Sequence, residues 1–330
     1  MLCSVIILNW NGESMLRQFL PSVIKNTTGT DTEIVVADNG STDNSLAVLK
    51  EFPTVRVLTF DRNYGFAEGY NRALKETEAR YVVLLNSDVE VTEGWLESLL
   101  AFMEEHEDYA ACQPKILSYK QKTHFEHAGA AGGYIDRYGY PYCRGRILNN
   151  TEEDKGQYDT VADVFWASGA CMLVRRETYE SCGGLDAAFF AHMEEIDLCW
   201  RMNCRGWRLA CVPKSVVYHV GGGALDYSNP RKTYLNFRNN LLMLYKNLPP
   251  RRLPWVLLMR FLLDYTAMLQ SLLTGKPGNA KAVIRARRDY HRMKKEYKAK
   301  RAENLRLATT LYPATMSRRS IIFDHYVFGL

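Results

Sequence analysis

Short runs of β-branched residues alternate with helical patterns in the first hundred residues, and this alternation limits the fold more than any other feature of the chain. The runs lie at residues 3–8, 33–37, 55–59 and 81–85, and the helical patterns at 14–25, 45–52 and 66–78. Parallel strands joined through helices of this length need right-handed crossovers. We therefore predict an α/β fold with a mostly parallel central sheet, its strands buried on both faces by helices.

The regular alternation ends near residue 110. Dense Gly and Tyr predict loops and a hairpin at 129–145, followed by a strand at 170–174, a helix at 195–205 and a strand pair at 208–212 and 216–219. From Pro230 onward the pattern is helical, with breaks at 248–254 and 275–278. We predict a catalytic domain over residues 1–228 and a helical C-terminal extension over residues 229–330.

Asn, Asp and Gly follow each of the four predicted strands. These segments are residues 9–11, 38–43, 61–65 and 86–88. Ligands of open α/β sheets bind beyond the carboxyl ends of the strands, so binding residues are expected there. Asn9 and Asn11 are the candidates after the first strand.

Asp38 ends the second predicted strand. A carboxylate at this point can accept hydrogen bonds from a nucleotide base or ribose, and the alternative is a residue that only forms the turn. Asp43 is expected to cap the helix that begins near Ser45.

Asn86 and Asp88 follow the fourth predicted strand. A carboxylate beside a neutral oxygen ligand suits Mg²⁺ or Mn²⁺ shared with a diphosphate, although a strand can also end in Asn or Asp without binding anything. His219 ends a later strand and is either structural or a metal ligand. The glycines after it, Gly221 to Gly223, would let a ligand approach the backbone.

Glu194 and Glu195 begin a predicted helix, where its dipole stabilises carboxylates without any catalytic role. At about 100° per residue, Glu195 and Asp197 point about 160° apart, so they can hardly share one site. Asp197 is placed to pair with Arg201, which leaves Glu195 free to act as a general base.

The C-terminal region contains an apolar stretch and a basic one. Residues 253–273 are apolar except for Arg260 and Asp264, which make a full membrane span doubtful. The net charge of the chain is +5, but residues 281–301 hold ten Lys/Arg against two acids, a local +8. This pair of segments is typical of a protein resting on an anionic membrane surface. Packing or self-association is the alternative, and we expect no nucleic-acid partner.

The eight cysteines form neither a CxxC motif nor a dense framework, so reduced thiols are expected. The first residues enter a strand pattern without a basic region, which argues against a cleaved signal peptide. We predict a cytoplasmic protein, peripheral on the inner face of the cell membrane.

Together these segments resemble the glycosyltransferase family 2 enzymes, which transfer sugars from nucleotide-sugars with inversion and adopt the GT-A fold. The resemblance covers residues 4–223 and is carried by SVIILNWNG, IVVADNGSTDNS, RNYGFAEGYNRA, LLNSDVEV, WASGACMLVRRE, EEIDLCWR and VYHVGG. The pattern is nearest to the rhamnosyltransferase-type enzymes that build bacterial polysaccharides. It implies that the predicted α/β domain is a Rossmann-like domain of the GT-A type.

The resemblance also implies roles for single residues. Asp88 and His219 would hold Mg²⁺ or Mn²⁺, and Glu195, at the second acidic position of the family's ED motif, would be the base. Glu replaces Asp at that position, so Glu194 stays open as the base, and Asn86 replaces the first Asp of the fuller metal motif. With the strand-end residues, the implied donor-binding set is Asn9, Asn11, Asp38, Asn63, Gly65, Phe66, Ala67, Asn86 and Asp88.

Trp166 and Ser168 are candidates for the acceptor side. Trp166 and the tyrosines at 134, 138, 140 and 142 would stack on sugar rings, or pack as an ordinary Tyr-rich region.

The sequence thus predicts an inverting, metal-dependent glycosyltransferase that moves a sugar from a nucleoside-diphosphate sugar to a hydroxyl of a lipid-linked glycan or a polysaccharide. A nucleotidyltransferase is one alternative, but it would usually carry a Gly-rich basic loop where this chain has NWNGESM. A non-enzymatic membrane-surface protein that uses only the C-terminal region is the other alternative.

Overall fold

Strands and helices alternate through the first third of the chain, as predicted. The computed structural model describes residues 1–29, 31–148, 150–221 and 229–328. The strands are β1 (Cys3–Asn9), β2 (Thr32–Asp38), β3 (Arg56–Thr59), β4 (Tyr81–Asn86), β5 (Val89–Val91), β6 (Tyr109–Ser118), β7 (Gly133–Ile135), β8 (Pro141–Cys143), β9 (Arg146–Ile147), β10 (Asn150–Thr151), β11 (Ala162–Asp163), β12 (Cys171–Arg175) and β13 (Arg208–His219). The helices are α1 (Glu13–Asn26), α2 (Ser45–Leu49), α3 (Gly65–Lys75), α4 (Trp95–Glu105), α5 (Arg176–Ser181), α6 (Glu194–Cys204), α7 (Pro230–Asn247), α8 (Leu253–Leu273), α9 (Pro277–Met293), α10 (Tyr297–Leu307) and α11 (Ile321–Phe328).

The described residues form one large sheet in the order β11-β13-β6-β12-β4-β1-β2-β3, with β5 paired to β13. Neighbouring pairs β1–β2, β1–β4, β2–β3 and β6–β13 are parallel, while β12 runs antiparallel between β4 and β6. In the register of β1, Asn9 lies opposite Asp38 and Leu8 opposite Asn86. The polar residues that follow three strands therefore meet at one edge. The predicted mostly parallel sheet flanked by helices is confirmed.

Two strand predictions were wrong in detail. The strand at 55–59 was expected to be buried on both faces, but β3 is largely exposed because it is the outer strand beside β2. The strand pair at 208–212 and 216–219 is a single strand, β13, whose register shifts between Val212 and Val216. Pro213 lies in this interval and has no N–H for the ladder, which is typical of a bulge.

A smaller sheet in the order β10-β9-β8-β7 follows β6, and its β7–β8 hairpin confirms the hairpin predicted at 129–145. All eight cysteines are described, and they are buried free thiols, as expected.

The C-terminal helices share a hydrophobic core with the sheet domain. Leu241 and Leu244 of α7 and Tyr297 of α10 belong to the same buried cluster as Trp200 and Met202 of α6. The predicted boundary at residue 228 lies outside the described residues and stays a prediction. Helix α7 nevertheless packs directly against α6, the element that begins with the two predicted catalytic glutamates, and α10 packs against α7.

Candidate active site

The ends of β1 and β2 form a hydrogen-bonded turn around Asp38. This carboxylate is fully buried, and it accepts hydrogen bonds from Asn9 Nδ2 at 3.0 Å and from the Ser41 backbone N–H at 3.0 Å. The backbone N–H of Asn11 donates to Ser41 Oγ at 2.9 Å. Asp38, Asn9 and Asn11 therefore lie together at the carboxyl edge, and Asp38 fixes the shape of this turn.

Asp43 caps two helices. Its Oδ1 accepts from the Ser45 N–H at 3.0 Å, and its Oδ2 accepts from the Glu13 N–H at 3.0 Å at the start of α1. The predicted capping role of Asp43 is confirmed.

The loop after β3 is fastened to the chain segment that precedes α6. Asn39 Nδ2 donates to Asn63 Oδ1 at 3.2 Å and to the carbonyl oxygen of Gly65 at 3.1 Å. Gly65 has φ +81°, and a Cβ there would lie 2.6 Å from the Phe190 ring. The N–H of Phe66 donates to the Phe190 carbonyl oxygen at 2.6 Å. Glycine is thus required at 65, and the predicted donor segment is held close to the predicted base.

Asp88 and His219 are brought together from positions 131 residues apart. Asp88 Oδ1 lies 3.1 Å from His219 Nε2, and the Asn86 amide nitrogen lies 3.4 Å from the same ring nitrogen. The three side chains that the sequence singled out for a metal therefore converge on one point. The glycines after His219 were predicted to let a ligand approach the backbone, and two of them, Gly222 and Gly223, lie outside the described residues.

Glu126 lies on the other side of the imidazole. Its Oε2 is 3.3 Å from His219 Nδ1, so the ring stands between two carboxylates. Burial alone would lower the pKa of His219, but Asp88 and Glu126 outweigh it and raise that pKa to about 10. A carboxylate behind a metal-binding histidine fixes its tautomer and its orientation.

The donor chemistry at this point fits a divalent cation. Asp88 Oδ1 and His219 Nε2 lie 3.1 Å apart, at hydrogen-bond distance, so a cation held by these two atoms would take the place of the ring proton between them. A half-turn of the Asn86 amide would present its oxygen to the same place. Within the described ranges no group of three or more His, Cys, Asp and Glu side chains is arranged as a metal cage. The protein would therefore supply only part of the coordination shell.

Glu194 and Glu195 start α6 with carboxyl groups that are only partly satisfied. Among the described residues, Oε2 of each is buried without a hydrogen-bond partner. Burial raises the pKa of both groups, that of Glu195 to about 7, and the neighbouring Glu195 raises the pKa of Glu194 further. Asp197 points away and pairs with Arg201 at 2.9 Å, as predicted. Glu194 is buried and Glu195 half-buried, so Glu195 is the more accessible of the two.

The turn before α6 is strained and is held from the C-terminal region. Phe190, His192 and Met193 all have positive φ, between 66° and 73°, which costs about 1–3 kcal/mol per residue. Asn239 of α7 is fully buried, and its amide nitrogen lies 2.8 Å from the His192 carbonyl oxygen and 2.9 Å from those of Phe189 and Ala191. This contact fixes the backbone that leads into Glu194.

A short segment before β12 joins the predicted metal ligands to the predicted base. The Ala170 carbonyl oxygen accepts from the N–H of Asn86 at 3.0 Å. One residue earlier, the Cβ position of Gly169 is 3.8 Å from Cβ of Glu195 and 3.1 Å from the Phe66 ring. The predicted metal ligands, donor segment and base are therefore neighbours around this segment, and the space beside it is the candidate crevice.

Trp166 and Ser168 lie in the interior. Trp166 is 3% exposed, donates from Nε1 to the Tyr134 carbonyl oxygen at 2.8 Å, and covers Gly133 so closely that a Cβ there would be 2.1 Å from its ring. Ser168 accepts from the Ala170 N–H at 3.2 Å and donates to the Ala128 carbonyl oxygen. For these two residues the structure favours packing over direct stacking on a sugar, because neither presents a free face.

Sequence reasoning missed Glu126 and Asn239. Glu126 stands in FEHAG, which matches none of the expected patterns, and its partner is 93 residues away. Asn239 and Asn240 form a polar pair directly before an apolar run of the helix, LLML. That pair was the available signal, since polar residues in such a place need buried partners.

The sequence model of Glycosyl transferase family 2 matches residues 4–183. O-antigen biosynthesis protein RfbC of Myxococcus xanthus is 26% identical over 223 residues, which are 66% of this chain and 17% of that protein. The N-acetylglucosaminyl-diphospho-decaprenol L-rhamnosyltransferase of Mycobacterium tuberculosis (strain ATCC 25618 / H37Rv) is 26% identical over 231 residues, which are 65% of this chain and 75% of the relative. The chain thus spans a small part of the first relative and most of the second.

Solved structures share the fold. TarS 1-349 of S. aureus in complex with UDP-GlcNAc superposes with a TM-score of 0.56 at 19% identity, covering 93% of this chain and 90% of that one. GalNAc-T7 with UDP, GalNAc and Mn²⁺ gives a TM-score of 0.59 at 18% identity, covering 76% of this chain and 48% of that one. At these identities the likeness is one of fold, and it confirms the predicted GT-A-type architecture with its C-terminal helices.

Proposed function

The chain belongs to glycosyl transferase family 2, and from this membership we propose the reaction of its site. The family and the rhamnosyltransferase-like subgroup predicted from the motifs are confirmed. We propose that the protein transfers a sugar from a nucleoside-diphosphate sugar to a hydroxyl of a lipid-linked glycan or a polysaccharide, with inversion and with Mg²⁺ or Mn²⁺. The observation that carries the proposal is the convergence of Asp88, His219 and Asn86 in the crevice that Glu195 also borders.

Glu195 is the proposed base. An acceptor hydroxyl within hydrogen-bond reach of its unpartnered Oε2 would give up its proton there as the hydroxyl oxygen attacks the anomeric carbon. A pKa raised by burial toward neutrality suits this role, because a base works best when its pKa is near the working pH. A single displacement of this kind inverts the anomeric centre and needs no nucleophile from the protein.

Asp88 and His219 are the proposed metal ligands, with Asn86 as a third neutral one. A divalent cation, when bound, stabilises the negative charge that develops on the departing diphosphate. Glu126 would hold the His219 ring with Nε2 toward the ion. The Mn²⁺ in the GalNAc-T7 structure supports a metal site in this fold in general terms.

Two variants test the proposal. The full chain is first incubated with nucleoside diphosphates and nucleotide-sugars, with and without Mn²⁺, to find the donor by its effect on thermal stability. Glu195→Gln should then bind that donor normally and transfer no sugar, whereas Asp88→Asn should lose the metal-dependent part of donor binding. Full turnover in Glu195→Gln would disprove the base, and an unchanged Mn²⁺ titration in Asp88→Asn would disprove the metal site.

We also propose that residues 229–330 place the catalytic domain on the cytoplasmic surface of the membrane. Within the described residues, α8 is the single helix long and apolar enough to cross a membrane. Unlike a helix in water, α8 turns its charged residues into the protein. Arg260 and Asp264 are buried and pair at 3.0 Å, and Arg287 of α9 reaches Asp264 at 2.6 Å.

The solvent-facing side of α8 is apolar. At 100° per residue the exposed side chains of Trp255, Leu258 and Leu262 fall within about 60° of one another, and their exposed fractions are 55%, 51% and 54%. Leu269 and Leu273 extend the same stripe toward the end of the helix. An apolar stripe of this length, with its charges turned into the protein, suits a helix lying in the membrane interface.

Helix α9 supplies the complementary charge. Its exposed basic residues recur at helical spacing, as Lys281, Arg285, Arg288 and Arg292. Basic residues near an anionic surface contribute about 1 kcal/mol each. We therefore propose that the apolar stripe of α8 and these basic residues of α9 contact an anionic lipid surface.

Vesicle sedimentation tests the membrane proposal. The triple variant Trp255→Ser, Leu258→Ser, Leu262→Ser should lose binding to phosphatidylglycerol vesicles, whereas Leu46→Ser, at an exposed leucine of α2, should not. Unchanged vesicle binding in the triple variant would reject the proposal. Sedimentation velocity without lipid tests the alternative, self-association. If this face joined two copies of the chain, the wild type would be a dimer and the triple variant a monomer.

A further inference from the structure

A cavity of about 490 Å³ lies beside the start of α8, away from the crevice described above. Its lining includes Arg137, Arg252 and Arg318, together with Tyr312, Met316 and Ser317, and no acidic residue. The volume is that of a small-molecule site. A cavity lined by three cations and no anion favours a negatively charged ligand.

These arginines are not neutralised by the protein. None of the three forms an ion pair within the described part of the chain, although Arg252 donates to the Arg137 carbonyl oxygen at 3.2 Å and to Met316 Sδ at 3.6 Å. Arg252 also immediately precedes α8, so the positive end of this helix dipole lies at the same place. Guanidinium groups without a carboxylate partner are suited to the oxygens of a phosphate or diphosphate.

Short stretches of chain link the wall of the cavity to the active site on one side and to the proposed membrane face on the other. Strand β7 bridges to Trp166 at Gly133 and to Met316 of the cavity wall at Ile135, and these two positions are about 7 Å apart along the strand. Trp166 lies three residues before Gly169, the neighbour of Glu195. On the other side, the exposed apolar stripe of α8 begins at Trp255, three residues after Arg252.

We infer that this cavity binds the diphosphate group of an isoprenoid-linked acceptor. The inference rests on the proposed function, because it assigns the lipid-linked acceptor of that reaction to a place. The isoprenoid chain would lie along the apolar stripe of α8, the diphosphate among the three arginines, and the sugar toward Glu195. The diphospho-decaprenol in the name of the Mycobacterium tuberculosis relative supplies the chemistry of such an acceptor.

Binding of geranylgeranyl diphosphate to the full chain tests the inference. All proteins carry Asp88→Asn and the buffer contains EDTA, so that metal-dependent diphosphate binding at the active site is removed. The double variant Arg137→Gln, Arg318→Gln should raise the dissociation constant at least about tenfold, because two charge-assisted contacts are lost. Both arginines are exposed, so the fold should be retained, which circular dichroism checks. The matched control is Arg251→Gln, an exposed arginine next to Arg252 that does not line the cavity, and it should leave the constant unchanged.

Three further probes identify the source of the anion. Geranylgeraniol should bind equally to all variants, since it has no phosphate. If inorganic pyrophosphate bound as tightly as geranylgeranyl diphosphate, the ligand would be a soluble anion and the lipid assignment would be wrong. If the double variant lost only phosphatidylglycerol vesicle binding, the cavity would serve bulk lipid headgroups, which also overturns the inference. If Arg137→Gln, Arg318→Gln bound geranylgeranyl diphosphate as tightly as Arg251→Gln, the site itself would be disproved.

In the chain without Asp88→Asn, thermal stabilisation by the nucleotide donor with Mn²⁺ should be untouched by Arg137→Gln, Arg318→Gln. Failure of the donor to bind any variant would refute the proposed function. A normal donor response together with unchanged geranylgeranyl diphosphate binding would refute only this inference.

Discussion

Replacing Asn239 with Leu should disable the enzyme from outside its catalytic crevice. Asn239 lies in α7, and its amide nitrogen contacts the carbonyl oxygens of Phe189, Ala191 and His192 at 2.8–2.9 Å. Leucine has nearly the same size and keeps the space filled. It has no donor, however, so the carbonyl oxygens of Ala191 and His192 lose their side-chain donor, while that of Phe189 keeps Arg238.

The magnitude follows from the donors that are lost. The amide has two N–H groups, and each buried acceptor left without a donor costs about 1–3 kcal/mol, or about 2–6 kcal/mol together. The turn recovers part of this cost by relaxing His192 from positive φ, worth about 1–3 kcal/mol. We expect the free energy of unfolding to fall by about 1–3 kcal/mol. Because the relaxed turn no longer positions α6, kcat should fall by about 100-fold, the usual cost of a displacement near 1 Å.

Three measurements on Asn239→Leu separate positioning from stability: the steady-state rate of sugar transfer, urea unfolding, and amide hydrogen exchange of residues 189–193. The matched control is Asn304→Leu in α10, which removes one side-chain hydrogen bond, to Asn247 Oδ1 at 3.0 Å, away from the turn. This control should cost about 1 kcal/mol or less and leave kcat unchanged. If Asn239→Leu lowered the free energy of unfolding while kcat and amide exchange stayed as in the wild type, the positioning argument would be refuted.

Lys246→Met should lower the free energy of unfolding by about 3–5 kcal/mol in urea, since it removes a cation within 2.7 Å of two buried carboxylates, and a loss below about 1 kcal/mol would contradict this. Burial alone would raise the pKa of Asp186, but its lysine partners hold that pKa well below the usual range. The stabilisation by this ion pair is therefore present above about pH 4. The difference in free energy of unfolding between Lys246→Met and wild type should shrink in more acidic solution. Glu126→Ala should weaken Mn²⁺ binding about 10- to 100-fold in a calorimetric titration with the nucleoside diphosphate, whereas the exposed Glu105→Ala should not, and equal affinities would exclude an orienting role for Glu126. Since Glu195 must be deprotonated to act and burial raises its pKa to about 7, kcat/KM should fall about tenfold per pH unit below pH 7. If the pH profile of kcat/KM began to fall only near pH 4, another base would be indicated.

Local patterns predicted the first part of the fold well. The β1–α1–β2–α2–β3–α3–β4 order could be derived because each element is short, regular and separated by turn residues, and the strand ends then fixed which polar residues meet. The convergence of Asp88 with His219 was reached only through the family resemblance, because nothing local connects positions 131 residues apart. The exposure of β3 was not predictable from its composition, since an edge position depends on the order of strands in the finished sheet.

The inverted polarity of α8 shows why the role of the C-terminal region was hard to derive. In the sequence, Arg260 and Asp264 interrupt an apolar run and make a full membrane span doubtful. In the structure, these two charges pair with each other and with Arg287 inside the protein, which leaves an apolar stripe without charges outside. The same residues therefore support membrane contact once their partners are known.

The C-terminal region is also part of the catalytic architecture. Asn239 and Lys246 of α7 hold the backbone before Glu194 and the buried Asp197, while α8 carries the apolar stripe and begins at the arginine-lined cavity. Movement of α8 on a membrane would reach α6 through only one intervening helix, since α7 contacts both. An acceptor bound at the membrane face and a base held by α7 would then be positioned by the same group of helices. In that arrangement the loss of residues 229–330 would abolish transfer even to a soluble acceptor, because the turn that carries the base would lose its support.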